Sequence, residues 1–474
     1  MSGDDLSGGG VSRGSAALGA GVAGPAPVTP PVTTPESGWL WDELGLAFTA
    51  RTDVVGVGIE GLVGLALRRN PRRAHLLVSR VLGKHLPVEP GTALAVARVL
   101  AHQIPAALGG PPPAGCDPTA TDPPLVLGYC ETATSLGHAV ADAIAGSDYL
   151  HTTRRREPGR PPLLEFDEAH SHAAFHWLIP TDAELVRRSR PLVLVDDELT
   201  TGRTALGTIR ILHAFAPHPS YVVATIFDSR SADARAAFDA LAAELGVPVV
   251  VVSLLAGELR LPEDIAARAA AVRASYPSTA TVAPGRSLAG RPGMGGGPAR
   301  RHGVRRLAAE WPADLPDGGR HGWTPGHRER LADVVEPLAK NVAAGLRPHG
   351  RTLVLGTEEL MYVPLRLAAA IADCSDAQVV YHSTTRSPVY VLDVEGYAVR
   401  AQLTFPAPDD SHRVSHVYNV RPGLYDDIVL VVDGHPDAVA DGVRLAGLLG
   451  ELRSCADVTV VTLPAYRPPP APRP

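Results

Sequence analysis

Two carboxylates and a group of hydroxyl side chains follow an apolar segment near the middle of the chain. Residues 192–204 read LVLVDDELTTGRT, and their first four residues are apolar, as in a buried strand. The paired carboxylates of Asp196 and Asp197 can accept hydrogen bonds from two sugar hydroxyls. The turn that follows can offer backbone N–H groups and hydroxyls to a phosphate at the start of the next helix, through Thr200, Thr201, Gly202, Arg203 and Thr204. These residues predict a site for a ribose that carries a 5′-phosphate.

The elements around this segment alternate between helix and strand. Apolar residues recur on one helical face at Leu206, Ile209, Leu212 and Phe215. An apolar strand pattern at 221–227, a helical stripe within 234–245 and another strand pattern at 247–255 follow. This order predicts a parallel α/β sheet, in which ligands bind at the carboxyl ends of the strands.

The 192–204 segment resembles the PRPP-binding motif of type I phosphoribosyltransferases, which bind 5-phosphoribosyl 1-diphosphate. The resemblance implies that Asp196 and Asp197 contact the ribose 2′- and 3′-hydroxyls, and that Thr200 to Thr204 cradle the 5′-phosphate. Glu198 departs from the motif, which usually has an apolar or small residue there. Two alternatives stay open: a buried strand followed by an ordinary capping turn, and a protein that senses PRPP without catalysis.

Composition limits the remaining possibilities. A chain of 474 residues suggests two or three domains. The net charge of −6 gives no overall basic footprint for nucleic-acid binding. We expect no membrane span, because no apolar run approaches the roughly 18 residues needed, and we read no signal peptide. Four widely spaced cysteines favour a reduced, cytoplasmic protein without a metal-binding cysteine motif.

Glycine- and proline-rich segments divide the chain. We predict a disordered tail at 1–37, a phosphoribosyltransferase domain at 38–275, a linker at 276–300, a second α/β domain at 301–466 and a Pro-rich tail at 467–474. In phosphoribosyltransferases a variable hood covers the base, and position alone makes residues 45–100 the candidate for it.

A second candidate anion site lies upstream of the PRPP motif. Residues 123–144 predict a short strand, a loop of small and hydroxyl residues, and a helix. A capped helix start is an equally simple interpretation. In phosphoribosyltransferases the loop after the first core strand binds pyrophosphate, and by resemblance Glu131, Thr132, Ala133 and Thr134 take that place.

The segment between these two motifs is rich in arginine and histidine. Arg154 lies in HTTRRR (151–156) and could contact a phosphate through paired N–H groups, although a solvated basic loop is an equal alternative. His170, His172 and His176 follow. They could lie on the mobile loop that closes over PRPP, with His172 as the candidate acid or base, form a metal site, or be surface histidines.

The second domain predicted here resembles a degenerate repeat of the first. Its segments 352–371, 382–391, 405–419 and 427–438 follow the order of 124–144, 150–158, 166–180 and 191–202. The alignment places the following residues in pairs: Gly356 with Gly128, Glu359 with Glu131, Arg386 with Arg154, His416 with His176, and Asp433 with Asp196. Chance similarity of short α/β segments is the alternative.

The Thr385-Arg386-Ser387-Pro388 string resembles the TRSP domain, which is named for that motif. That domain follows an orotate-phosphoribosyltransferase-like domain in bacterial proteins associated with tellurium-resistance stress operons. A ligand of the second domain would involve Glu358, Glu359, Thr385, Arg386 and Ser387. The resemblance implies a context of nucleoside-like small-molecule metabolism.

The reaction that these resemblances imply is transfer of the phosphoribosyl group of PRPP to a base or similar nitrogen nucleophile, with release of pyrophosphate. Mg²⁺ would be bound mainly through PRPP oxygens, with no direct protein ligation expected. The partners would be PRPP and a nitrogenous base, in a possible homodimer. A PRPP-sensing regulator is the alternative, and the second domain could also be only a protein-interaction module.

Overall fold

The structure is a computed structural model, and it describes residues 38–70, 74–109, 122–157, 160–167, 175–278, 302–434, 443–464 and 466. The helices are α1 Trp39–Leu44, α2 Gly58–Leu62, α3 Pro90–Ala107, α4 Thr134–Ala143, α5 Glu184–Arg187, α6 Arg203–Phe215, α7 Ala232–Leu245, α8 Ile265–Ser275, α9 Pro325–Ala343, α10 Tyr362–Cys374 and α11 Val443–Leu452. The first ten strands are β1 Ala47–Asp53, β2 Val63–Leu67, β3 His75–Ser79, β4 Leu125–Gly128, β5 Asp148–His151, β6 Leu164–Asp167, β7 Phe175–Leu178, β8 Leu192–Leu199, β9 Tyr221–Asp228 and β10 Val249–Arg260. The others are β11 Val304–Ala308, β12 Arg351–Gly356, β13 Gln378–Ser383, β14 Gln402–Pro406, β15 Val414–Tyr418, β16 Asp427–Gly434 and β17 Asp457–Pro464.

The first domain is built on a six-stranded sheet in the order β1-β10-β9-β8-β4-β5. All neighbouring strands run parallel except β1, which is antiparallel to β10. One face packs against α3 and α4, and the other against α6 and α7. This confirms the predicted parallel α/β sheet with helices on both faces, and the near-continuous apolar strands follow from burial on both sides.

The second domain contains a five-stranded parallel sheet in the order β11-β17-β16-β12-β13. Its last four strands match β9-β8-β4-β5 of the first sheet in order and direction. The strand next to β17 is β11, which comes from the start of the second domain. The strand next to β9 in the first sheet is β10, which comes from the end of the first domain. Each domain also has a two-stranded hairpin. The hairpin β6–β7 comes before β8, and the hairpin β14–β15 comes before β16.

Strand register corrects two of the residue pairs that the sequence alignment suggests. Leu125 pairs with Leu192, and its counterpart Leu353 pairs with Ile428, so counting along β16 puts Val432 at the place of Asp196. Asp433 therefore corresponds to Asp197. In the hairpins, Phe166 pairs with His176 and Phe405 pairs with Ser415. Ser415, and not His416, is the structural counterpart of His176. Both alignments were wrong by one residue, because apolar strand patterns do not specify register.

The two sheets share one hydrophobic core. Helices α3, α4, α9 and α10 lie between them, and a single buried cluster runs from Val126 in β4 to Val429 in β16. Asp142 of α4 accepts hydrogen bonds from Arg328 of α9 at 2.5 Å and from Arg366 of α10 at 2.9 Å.

The region predicted as a hood contains the β2–β3 hairpin, which packs on the second domain. Leu65 and Leu67 share a buried cluster with Val389 and Val399. The backbone N–H of Leu67 donates to the hydroxyl of Tyr397 at 2.8 Å. Among the residues that the structure describes, no helix has the length and apolar content needed to cross a membrane.

Candidate active site

The PRPP-like motif lies at the carboxyl end of β8, beside the loop that follows β4. Gly128 pairs with Val195, and the N–H of Tyr129 donates to the carbonyl of Val195 at 3.2 Å. The loop that begins after Tyr129 and the acids that begin at Asp196 therefore leave adjacent strands at the same edge of the sheet. Strand neighbours lie about 4.8 Å apart, so one extended ligand can contact both.

Gly202 connects the acids to α6, and its position requires glycine. Its φ is +69°, and a Cβ there would lie 2.4 Å from the ring of Phe238. Helix α6 begins at the next residue, Arg203. Thr200, Thr201, Arg203 and Thr204 are exposed around the helix start. The turn thus presents hydroxyls and the helix N-terminus to solvent, as an anion site requires.

Three consecutive acids create a strongly negative position at the end of β8. The recessed position of Asp196, and then the carboxylate of Asp197, raise its pKa well above the usual range. The same two causes raise the pKa of Glu198 from 4.5 to about 7, although Arg68 and Lys84 oppose the shift. A cation or hydroxyl donors at this position would relieve the repulsion among the acids.

The loop predicted to bind pyrophosphate is held by side chains from three parts of the chain. Its own Thr134 Oγ1 donates to the carbonyl of Glu131 at 3.0 Å. Lys84, from the segment before α3, donates to the hydroxyl of Thr132. Arg386 of the second domain lies with its Nε 2.7 Å from Oε1 of Glu131. Ala133 is buried and its N–H donates to the carbonyl of Tyr129 at 3.0 Å.

Arg154 contacts the histidine that follows the arginine-rich segment. Its Nη2 lies 3.0 Å from Nε2 of His176, and its backbone N–H donates to Glu359 at 2.8 Å. Because a guanidinium only donates, the network assigns the ring proton to Nδ1, which faces the Thr152 hydroxyl at 3.0 Å. His172, the candidate acid or base, lies outside the described residues, as does His170.

The predicted second-domain residues lie in a network of hydrogen bonds and ion pairs at the boundary between the two domains. Glu359 accepts hydrogen bonds from Thr153 Oγ1 at 2.7 Å and from the N–H of Arg154. Burial raises the pKa of Glu359, but Arg320 and then Arg155 outweigh it and hold the pKa well below its usual range. Ser387 lies beside this network, and its N–H donates to Thr385 Oγ1 at 3.1 Å.

Glu358 is held by two arginines and a serine. Arg386 Nε lies 2.8 Å from its Oε2, and Arg413 lies 2.7 Å from its Oε1. The hydroxyl of Ser415 also donates to Glu358. Burial raises the pKa of Glu358, and Arg386 and Arg413 lower it below its usual value. Whether a ligand also binds at these second-domain residues stays a prediction.

The sequence did not reveal the partner of Asp433 in the second domain. Arg155, from the first domain, forms an ion pair with the buried Asp433 and lies 3.7 Å from Asp409. The sequence also did not reveal Arg320 and Arg413, which bind Glu359 and Glu358. The notable signal was the triple arginine at 154–156, since such a dense charge run next to a buried strand needs acidic partners.

Two protein-family descriptions match segments of this chain. Residues 62–258 match the family described as phosphoribosyl transferase, and residues 317–450 match the TRSP domain C-terminal to it. No curated protein sequence matches the chain.

Similar solved structures include adenine phosphoribosyltransferase from Saccharomyces cerevisiae, which is 14% identical in sequence. The alignment covers 41% of this chain and 94% of the yeast chain, with a TM-score of 0.27. The enzyme from Rhodothermus marinus is 16% identical, with coverages of 41% and 95% and a TM-score of 0.27. Orotate phosphoribosyltransferase from Aeropyrum pernix is 18% identical, with coverages of 41% and 88% and a TM-score of 0.23.

The match of residues 62–258 to the phosphoribosyl transferase family implies an enzyme of the pentosyltransferase class. More narrowly, residues 62–258 match the phosphoribosyl transferase family and residues 317–450 match the TRSP domain that lies C-terminal to it.

Proposed function

We propose that the first domain transfers the 5-phosphoribosyl group of PRPP to a nitrogenous base or similar nucleophile and releases pyrophosphate. Asp196 and Asp197 would accept hydrogen bonds from the ribose hydroxyls, and the Thr200–Thr204 turn would bind the 5′-phosphate. The loop from Glu131 to Thr134 would hold the pyrophosphate. Positioning of the two reactants and stabilisation of the charge that develops in the transition state would supply most of the rate enhancement.

The observation that carries this proposal is the junction of two adjacent strand ends. Tyr129 and Val195 are hydrogen-bonded at 3.2 Å, directly before the loop and the acids respectively. Gly202, directly before the first residue of α6, then has a backbone conformation that suits glycine. A ligand with a phosphate at one end, a sugar diol in the middle and a diphosphate at the other matches the order of these groups.

Mg²⁺ fits the chemistry of this position, because carboxylate oxygens are ligands that it accepts. Within the described residues, no three His, Cys, Asp or Glu side chains are grouped so as to hold a metal ion. We therefore propose that PRPP oxygens provide most of its ligands. When bound, the ion would neutralise charge on the departing pyrophosphate.

We assign PRPP binding to the first domain alone. Val432 stands at the place of Asp196 in the second domain, so the carboxylate pair is missing there. The remaining acid, Asp433, is buried and paired with Arg155. A ribose diol would have to displace that guanidinium.

The TRSP resemblance leads us to propose a nucleotide-like product in a stress context such as tellurium resistance. Cys130, Cys374 and Cys455 are free thiols, which fits the cytoplasmic location that we predict.

A PRPP-sensing regulator is the second candidate. Glu198 favours the sensor, because the motif of the enzymes usually has no third acid. The raised pKa of Glu198 also leaves a proton-sensitive group beside the ribose site. An intact acid pair together with a separate pyrophosphate loop favours turnover.

Pyrophosphate release from PRPP and Mg²⁺, measured with orotate, uracil and purine bases, separates the two. The control is the Asp196→Ala/Asp197→Ala variant. Release with one base that the control abolishes would establish the transferase and identify its acceptor. PRPP binding that depends on both acids, without release with any base, would favour the sensor.

A further inference from the structure

Two glutamates at equivalent places in the two domains each bind the Thr-Arg pair of the opposite domain. Glu359 accepts from Thr153 Oγ1 at 2.7 Å and from the N–H of Arg154 at 2.8 Å. Glu131 accepts from Thr385 Oγ1 and from the N–H of Arg386, both at 3.4 Å. Because the exchange is reciprocal, the loop of the first domain is completed by the TRSP motif of the second.

The contact between Arg386 and Glu131 is well shielded from water. Glu131 is 4% exposed, and the Arg386 guanidinium lies between Glu131 and Glu358, with Nε at 2.7 and 2.8 Å from their oxygens. Burial and then Glu358 raise the pKa of Glu131, while Lys84 and Arg386 oppose that rise. Without Arg386, two buried carboxylates would face each other and repel.

Movement of Glu131 would be transmitted to the rest of the loop. Its carbonyl accepts from Thr134 Oγ1 at 3.0 Å and from the N–H of Thr134 at 3.3 Å. Thr134 is also the first residue of α4. A shift of Glu131 therefore displaces the loop hydroxyls and the start of the helix together.

We propose that Arg386 is a positioning residue for the first domain: by holding Glu131, it sets the 131–134 loop in the conformation that binds pyrophosphate. The TRSP motif would thus act on the site of the other domain. This inference rests on the proposed function, since it assumes that the loop is a pyrophosphate subsite.

Two probe ligands separate a local effect from a general one in the full-length chain. Pyrophosphate with Mg²⁺ reports on the 131–134 loop, and ribose 5-phosphate reports on the Asp196 to Thr204 segment. We expect Arg386→Ala to weaken pyrophosphate binding about tenfold, which is a typical size for a coupling of this kind, and to leave ribose 5-phosphate binding unchanged. Calorimetric titration measures both.

Arg413→Ala is the matched control. Arg413 also binds Glu358, and its side chain is 22% exposed against 21% for Arg386, but its second carboxylate partner is Asp409. We expect pyrophosphate affinity to change less than twofold in this variant. Equal losses in both variants would overturn the positioning role, because they would trace the effect to Glu358.

Glu131→Gln tests whether Arg386 acts through Glu131. If it does, Glu131→Gln weakens pyrophosphate binding as Arg386→Ala does, and the double variant is no weaker than either single one. Unchanged or tighter binding in Glu131→Gln would overturn the proposal and make Arg386 a direct ligand of the anion. Failure of the unmodified protein to bind either probe or PRPP would instead refute the proposed function.

Discussion

Tyr149 and Trp323 exchange two backbone hydrogen bonds across the domain boundary. The N–H of Trp323 donates to Tyr149 at 2.7 Å, and the N–H of Tyr149 donates to Trp323 at 2.8 Å. Val88 and Tyr381 make the equivalent exchange at 3.0 and 2.7 Å, with the domains reversed. The segment before α9 therefore pairs with the edge strand β5 of the first domain, and the segment before α3 pairs with the edge strand β13 of the second.

This exchange predicts that the two domains unfold together. Trp323 is fully buried and its ring lies 4.6 Å from that of His138. We expect Trp323→Ala to lower the free energy of unfolding by about 3–5 kcal/mol through loss of buried contacts. Denaturant unfolding, followed by circular dichroism and by tryptophan fluorescence, should give coincident transitions in the unmodified protein. A variant that melts the second domain alone would contradict this.

Gly202 and Gly246 form a matched pair for testing the PRPP turn. Both have positive φ, +69° and +68°, but only Gly202 has a ring where its Cβ would lie. We expect Gly246→Ala to cost about 1 kcal/mol of stability from the left-handed backbone, with unchanged ribose 5-phosphate binding.

Gly202→Ala should cost more stability, because Phe238 must move. We expect it also to weaken ribose 5-phosphate binding about tenfold, since displacement of the turn misplaces its phosphate donors. Calorimetric titration of both variants checks the difference. Equal affinity in the two would mean that the turn does not bind the phosphate.

Glu198 makes stability depend on pH. Its pKa is about 7 in the folded protein against an ordinary 4.5, so between these values the folded state retains a proton that the unfolded chain has lost. Stability from this group is therefore greatest below pH 4.5 and falls as the pH rises to about 7. We expect Glu198→Gln to raise the melting temperature by roughly 2 °C or more at pH 8 and by less at pH 5. Melting curves at both values test this, and an equal shift would contradict it.

Arg155 and Asp433 form a buried pair whose loss should be asymmetric. Removal of Arg155 alone leaves Asp433 buried without its guanidinium, so we expect Arg155→Leu to cost about 3–5 kcal/mol. The double variant Arg155→Leu/Asp433→Leu should be more stable than the single one, because no charge is stranded. Denaturant titrations of both variants provide the measurement. A double variant that is less stable would show that Arg155 acts mainly through its other partner, Asp409.

Local sequence patterns were enough to predict the first sheet and the polar residues at its edge. The apolar run before Asp196, the helical spacing after Gly202 and the alternation of elements predict a parallel sheet with a polar site at its edge, and the structure has both. These features could be predicted from the sequence because burial on both faces makes strands apolar throughout. A helix start that binds anions, in turn, needs small and hydroxyl residues.

Which charged side chains pair with each other depends on how the whole chain folds. Glu131 and Arg386 are 255 residues apart in the sequence, and no local pattern pairs them. Register was equally hidden: a shift of one residue along β16 moves Asp433 from the place of Asp196 to that of Asp197. Apolar strands accept either register, since their side chains are alike. The choice comes from packing two sheets on one core, which also brings Arg155 to Asp433.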